Sequence, residues 1–329
     1  MTKTSPKVTD MKRDWICEIG LLIYPACQLS AIYGLTDLFR IAGEWADRDS
    51  PRQVRVTHWR AEEDGQPMCV WDTHANETHR LDYVITPPSI VMPERMQPMP
   101  QEAAWLRAQH KEGSRVCSIC AGAFVLAESG LLQGRRVTTH WAFAKHLAES
   151  YQDIEVADRN LVLDDGDVIS AGGILAWTDL GLTLVERLFG RSAMLSTARF
   201  LVIQPPRSTQ LPFTEFIPDF DHGDEAILRV QHHIHADLTA SLNLDDLSDV
   251  AHLGKRTFMR RFAKATSLKP TEYIQQARVA KARGILELTT RPVDQVAWEV
   301  GYKDPSAFSK IFQRISGISA SEYRHQFGV

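Results

Sequence analysis

No apolar run in this sequence approaches the ~20 residues that a membrane-crossing helix requires, so a helical membrane protein is not expected. The opening stretch from Met1 to Asp14 is polar, lacks the apolar core of a secretory signal, and reads as a disordered tail. Cysteine is scarce. Cys17, Cys27, Cys69, Cys117 and Cys120 form an odd set without zinc-ligand spacing. Cys117-x-x-Cys120 has the form of a redox pair, yet no second pair completes a metal site. No metal or cofactor is therefore expected, and the setting is read as reducing and cytoplasmic. An excess of positive charge is also missing: the formal net charge is −4, which taken alone speaks against nucleic acid.

The distribution of charge reverses that last exclusion. Residues 225–329 carry 15 Lys and Arg against 11 Asp and Glu, a net of +4, which leaves 22 against 30, a net of −8, in residues 1–224. A basic end on an acidic body suits a DNA reader carried by a sensor or an enzyme. At 329 residues, 44% hydrophobic and 24% charged, the chain has material for two domains, each with its own core.

Residues 17–24 are a mostly apolar run suited to a buried strand and closed by Pro25. Ile32, Leu35, Leu38, Phe39 and Ala42 then recur at helical spacing. Further strands are expected at 54–59, 83–86, 115–119 and 167–170. Helices are expected at 103–111, at 121–129, and from the Gly172-Gly173 turn to Phe189. Strands alternating with helices predict an α/β domain, an open and largely parallel sheet, over residues 15–206. The proline-rich, aperiodic stretch 207–223 is expected to be a linker, and residues 224–329 to be all-α.

Within that last segment one small helical unit is written twice. Leu247 to Phe262 and Val296 to Phe312 each run apolar helix, tight turn, second helix. Each second helix carries Phe at i and i+4 on one face (Phe258 and Phe262; Phe308 and Phe312) and Lys or Arg on the other. That is the layout of a helix-turn-helix, whose second helix lies in the DNA major groove. A long helix near 271–288 joins the copies. After the first turn come Lys255, Arg256, Arg260, Arg261 and Lys264; Arg256 and Arg260 share one face. Arginine can fork onto guanine or grip phosphate. In the second copy Asp304 is a good N-cap and Pro305 suits the first helical position. Ser306, Ser309, Lys310 and Gln313 are its groove candidates, and Lys303 and Arg314 its phosphate candidates. A solvated basic face would explain one such helix; two copies in register favour double-stranded DNA.

The closing pattern Gly301-Tyr302-x-Asp304-x-Ser306-x-Phe308-x-x-x-Phe312, then Gly317-x-Ser319-x-x-Glu322-Tyr323-Arg324, resembles the signature of the AraC/XylS family of transcription regulators. The resemblance covers about Asp224 to Phe327. Gly254 departs from it where the family caps with Ser, a change worth only about a few tenths of a kcal/mol. Ser319-Ala320 departs where a proline step is usual, while Lys269-Pro270 keeps its equivalent in the first copy. The resemblance implies a promoter with two half-sites, RNA polymerase as a partner, and a homodimer through the front domain.

The front half has its own motif. Ser118-Ile119-Cys120-Ala121-Gly122 stands at a strand-to-helix joint, and its small residues permit the sharp turn that lifts a nucleophile out of a sheet. With Thr139-His140-Trp141 and Ser170-Ala171-Gly172-Gly173, the stretch from Cys17 to about Arg207 resembles the DJ-1/PfpI branch of the class I glutamine amidotransferase-like fold. That implies a flavodoxin-like sheet. Catalysis by Cys120 would need a base in reach and an orienting acid. The only His-x-Glu is His110-Lys111-Glu112, upstream of the elbow, and Ser30 stands where related proteins keep an acid. His140 is the one partner left, and the helix N-terminus is expected to depress the Cys120 thiol pKa. The balance favours a retained pocket used for sensing, not an enzyme. The alternative is a cysteine-dependent hydrolase or hydratase acting through Cys120 and fused to a DNA-binding domain. Pocket candidates are Tyr24, Ser30, Cys120, His140, Trp141, Trp177 and Asp179. Indole rings attract ammonium groups, and Asp179 is suited to pair with a ligand amine or to cap a neighbouring element. The resemblance suggests an amino acid or a quaternary amine as effector.

Overall fold

Strand β1 (Trp15–Ile23) is buried along nearly its whole length, Glu18 included, as its mostly apolar run requires of a strand covered on both faces. The chain continues through α1 (Leu29–Ala46), β2 (Gln53–Arg60), β3 (Met68–Asp72), β4 (Tyr83–Thr86), α2 (Pro100–Lys111), β5 (Arg115–Ile119) and α3 (Gly122–Glu128). Then come β6 (Arg136–Val137), α4 (Ala144–Ser150), β7 (Glu155–Val156), β8 (Val162–Asp164), β9 (Val168–Ala171), α5 (Trp177–Phe189) and α6 (Arg191–Leu201). This computed structural model describes residues 15–46, 53–62 and 65–329. The tail expected at 1–14 lies outside the described residues.

Seven strands form one sheet in the order β3-β2-β1-β4-β5-β9-β8. The five inner strands are parallel, and β3 and β8 close the edges antiparallel. Burial of both faces explains the sequence pattern. Ile19, Leu21, Ile85 and Ile119 face α1, α5 and α6, while Leu22, Val84 and Val116 face α2 and α3. Four short strands were not expected: β6 and β7, two residues each in a sheet of their own, and the two edge strands. Strand β3 reads as an exposed, barely patterned segment, and β8 has only three residues, too few for a period to show.

The chain divides into two units, Met1–Gln210 and Leu211–Val329. The second is helical: α7 (Glu225–Ala236), α8 (Leu244–Ala251), α9 (Lys255–Thr266), α10 (Pro270–Leu288), α11 (Val293–Glu299), α12 (Pro305–Ser316) and α13 (Ala320–Phe327). It holds two cores. Phe258 and Phe262 pack with Ile227, Leu247 and Tyr273, and Phe308 and Phe312 with Val296, Leu286 and Tyr323. Helix α10 serves both, giving Tyr273, Ile274 and Ala277 to the first and Val279, Ala282 and Leu286 to the second. Local chemistry sets the helix ends. Asp304 Oδ1 accepts from Ser306 N–H at 2.9 Å with Pro305 in the first turn. Ser319 and Glu322 form a reciprocal capping box that starts α13 without the proline. No helix among the described residues is long and apolar enough to cross a membrane.

Residues 207–223, read as a linker, are not a bare connection. Arg207 and Gln210 are bonded into the first unit, and the carbonyls of Leu211 and Thr214 accept from Arg283 in the second.

Candidate functional site

At the carboxyl end of β5 the backbone turns sharply into α3, and Cys120 is held there at φ +53. Left-handed geometry costs an ordinary residue roughly 1–2 kcal/mol, so the surroundings must enforce it. They do. Cys120 N–H donates to Ala171 O at 2.7 Å, and its carbonyl accepts from the Thr139 hydroxyl at 2.8 Å. Gly122 lets the turn press against β4: a Cβ there would stand 2.5 Å from both Thr86 O and Pro87 O. The elbow expected from small residues is present, and it lies where open α/β sheets bind ligands, outside the carboxyl ends of the strands.

Its electrostatics differ from the expectation. Cys120 is 2% exposed. Burial pushes its thiol up to about 12, and the lowering contribution of the Ala121 backbone N–H does not offset that. The short helix α3 therefore does not activate it. His140 is not a base for it either. The ring Nδ1 accepts from Ala142 N–H at 3.1 Å, and among the described residues no hydrogen bond joins His140 to Cys120. Burial also lowers the His140 pKa. At neutral pH Cys120 alkylation by iodoacetamide should run about a thousand times slower than that of a free thiol, rising roughly tenfold per pH unit. Peptide mapping of the labelled chain checks this, and rapid stoichiometric labelling at pH 7 would contradict the buried, unactivated thiol.

The other pocket candidates are dispersed. Tyr24 is buried and its hydroxyl donates to Pro87 O at 2.6 Å, beneath the elbow. Ser30 is exposed in the first turn of α1. Trp141 is half-buried beside His140, with ring centroids 5.4 Å apart. Trp177 lies against Gly34, and its indole Nε1 is buried with no hydrogen-bond partner among the described residues. Asp179 is not available to a ligand amine. Its Oδ1 accepts from the Arg207 backbone N–H at 2.9 Å, and the Arg207 guanidinium forks onto both carboxylate oxygens. Leu29 at the start of α1, and Ile90, Ile174 and Leu175 on the loops that follow β4 and β9, are exposed.

Elsewhere in this unit, ligating atoms of Cys69, Asp72 and His79 lie within 4.8 Å of one another. Arg55 forks onto both oxygens of Asp72 at 3.1 and 2.7 Å, and Glu18 holds His79 Nδ1 at 2.8 Å. The guanidinium already supplies the positive charge that a cation would bring, so the cluster is an ion-pair hub.

The nucleic-acid candidates fall on two equivalent helices. With Phe258 and Phe262 inward in α9, and Phe308 and Phe312 inward in α12, the outward positions correspond pairwise. Arg256 matches Ser306, Arg260 matches Lys310, and Lys264 matches Arg314. Arg256, Arg260, Lys264, Lys303, Ser306, Ser309, Lys310 and Gln313 are all exposed. Lys255 is exposed too and ion-pairs with Asp245. Ser309 Oγ donates to Pro305 O at 2.9 Å, which leaves it as an acceptor. Arg314 donates to Gln275 Oε1 at 2.5 Å on the connector helix. Arg261 departs from the expectation. Three positions on from Phe258 it lies on the inner shoulder of α9, where it forks onto Asp224, the N-cap of α7, at 2.8 and 2.6 Å. That pairing holds the Asp224 carboxyl below its usual range. Arg261 is a brace between helices.

Sequence reasoning missed the residues that anchor the two ends of the connection. Gln210 is buried. Its amide donates to Thr139 O at 2.9 Å and its carbonyl oxygen accepts from Trp141 N–H at 3.0 Å. Arg283 is buried as well, bonded to Leu211 O, Thr214 O and Ser316 Oγ and stacked over Tyr323. One trace was legible. Phe213, Phe216 and Phe220 punctuate the proline-rich stretch, and they pack on Phe327, Tyr273 and His232.

Comparison with known proteins agrees with this division. Residues 62–187 match the DJ-1/PfpI family and residues 247–326 a helix-turn-helix domain. The HTH-type transcriptional regulator GbdR of Pseudomonas aeruginosa is 25% identical over 228 residues, 68% of this chain and 61% of GbdR. The chain thus spans less than two thirds of that relative's length. The HTH-type transcriptional regulator ArgR of the same organism is 25% identical over 274 residues, 81% of this chain and 80% of ArgR. The isonitrile hydratase of Pseudomonas putida is 38% identical over 119 residues, 36% of this chain and 49% of the enzyme.

Proposed function

From a chain that joins a DJ-1/PfpI domain to an AraC-type helix-turn-helix domain, we infer a DNA-binding transcription regulator whose front domain senses a small molecule. The observation that carries the reading is the matched outward face of α9 and α12, with Arg260 and Lys310 at equivalent positions. The two helices read successive major-groove segments of one promoter, about one helical turn apart. The regulator acts as a homodimer through its front domain, meets RNA polymerase at the promoter, and works in the cytoplasm. The effector occupies the space outside the Cys120 elbow. Since Asp179 is committed to Arg207, a cationic effector such as a quaternary amine would need an aromatic face, for which Trp141, half-buried beside His140, is the candidate.

Binding of the full chain to duplex DNA from its own promoter region, followed by fluorescence anisotropy at several salt concentrations, tests this. Affinity should fall steeply with salt as counterions are released. Arg260→Ala and Lys310→Ala should each cost about 1–3 kcal/mol at different halves of the site. Arg261→Ala should loosen α7 and leave base preference alone. Salt-independent binding, or equal weakening on every sequence, would refute the groove assignment.

The likeness to isonitrile hydratase supports a second reading, in which Cys120 attacks a nitrile-like or amide substrate. The buried thiol and the missing base weigh against it. Turnover by the wild-type chain that is lost in Cys120→Ser would establish it.

A further inference from the structure

Two sets of hydrogen bonds meet at one peptide bond, between Gln210 and Leu211. On the sensor side the Thr139 hydroxyl holds the Cys120 carbonyl at 2.8 Å, and Gln210 clamps the same segment from behind. Its Nε2 donates to Thr139 O at 2.9 Å and its Oε1 accepts from Trp141 N–H at 3.0 Å. Gly172 makes room for this, since a Cβ there would lie 2.7 Å from the Gln210 amide nitrogen. On the reader side the next residue is gripped by Arg283, which donates to Leu211 O at 3.0 Å and also to Thr214 O. The same guanidinium donates to Ser316 Oγ at 3.1 Å, in the last turn of α12. Each of these bonds lies within its own unit, and the Gln210–Leu211 peptide bond joins the two sets.

We propose that Gln210 and Arg283 are positioning residues that couple occupancy of the Cys120 pocket to the seating of recognition helix α12. This rests on the regulator reading. An effector that shifts the Thr139–Trp141 segment moves the two groups that hold Gln210, and Gln210 cannot follow without displacing Leu211. Displacing Leu211 and Thr214 takes two acceptors from a buried guanidinium, which must then release or drag Ser316 and the helix that ends there. The first recognition helix is tied less directly, through Phe216 on Tyr273 and Phe220 on His232. The coupling therefore acts mainly on the half-site read by α12.

Linkage is reciprocal: if the pocket biases DNA binding, DNA must bias the pocket. The probe is duplex DNA from the chain's own promoter region, added to the full-length protein. Amide exchange is then followed by mass spectrometry in the elbow (residues 119–125) and in residues 139–142. In wild type, DNA should change exchange in both segments by about fivefold or more. Gln210→Ala should abolish both responses. Thr139→Val, which removes only the hydroxyl on the Cys120 carbonyl, should abolish the elbow response and spare residues 139–142. A merely structural role would not produce that order of loss. Circular dichroism confirms that each variant is folded, and Arg283→Lys breaks the relay from the other end should Gln210→Ala fail to fold. An elbow response that survives in the folded variants, or no response in DNA-bound wild type, overturns the relay. Absence of DNA binding by wild type, seen by anisotropy on the same samples, overturns the regulator reading and the relay with it.

Discussion

A fragment spanning residues 211–329 is expected to fold cooperatively and bind DNA, whereas one starting at Asp224 should be far less stable, by about 3–6 kcal/mol. The figure follows from Arg283, whose hydrogen bonds to Leu211 O and Thr214 O are each of the charge-assisted kind worth about 1.5–3 kcal/mol. Removing residues 211–223 leaves a guanidinium, only 8% exposed in the intact chain, short of two acceptors. It also strips Phe213 from Phe327, Phe216 from Tyr273 and Phe220 from His232. A domain of this size holds roughly 5–15 kcal/mol in total, so the shorter fragment sits near its limit. Its melting temperature should fall by more than about 10 °C. Thermal melts by circular dichroism on both fragments decide the point, and equal midpoints would show that the stretch is a passive linker after all.

In the front unit the largest effect is expected from Gly122→Ala. A methyl group at that position meets the carbonyl oxygens of Thr86 and Pro87 at 2.5 Å. Both are backbone atoms at the end of a central strand, so no side-chain rotation relieves the clash. Overpacking costs about 1–3 kcal/mol, and with only backbone atoms in the way the upper end of that range is expected. The distortion falls on the turn that holds Cys120, so sensing should fail together with stability. Gly113→Ala is the control. Nothing lies within 4 Å of its added methyl, and only its positive φ opposes the change. Tryptophan fluorescence during thermal unfolding should show a much larger shift for Gly122→Ala than for Gly113→Ala. Matching midpoints would mean that the elbow can relax and that the close approach to β4 does not define it.

The parts of the molecule that were legible beforehand are those governed by neighbours in the chain. The period of Phe258 and Phe262, repeated by Phe308 and Phe312, marks a helix face whatever lies opposite. Asp304-Pro305 starts α12 through its own capping bond and fixed φ. The mostly apolar character of β1 requires cover on both faces, and cover on both faces implies helices on each side of a parallel sheet. Even the elbow was visible, because a turn that tight admits only small residues. The edge strands were not: β3 and β8 are short, and an exposed edge leaves little pattern to read.

Fold class, the doubled helix-turn-helix and the elbow are thus properties of sequence, being set by local sterics and by the periodicity of burial. Which charged groups remain free was decided only in three dimensions. Arg260 and Arg261 are adjacent and chemically identical, yet one is exposed and the other is forked onto Asp224, 37 residues away. Asp179 looks like a ligand carboxylate until Arg207, 28 residues on, closes over it. Cys120 has the position of a nucleophile, but its ionisation depends on how much protein surrounds the sulfur, and burial raises its pKa instead of lowering it. Charge pairing and desolvation depend on distance and dielectric, and neither is written in the order of the residues.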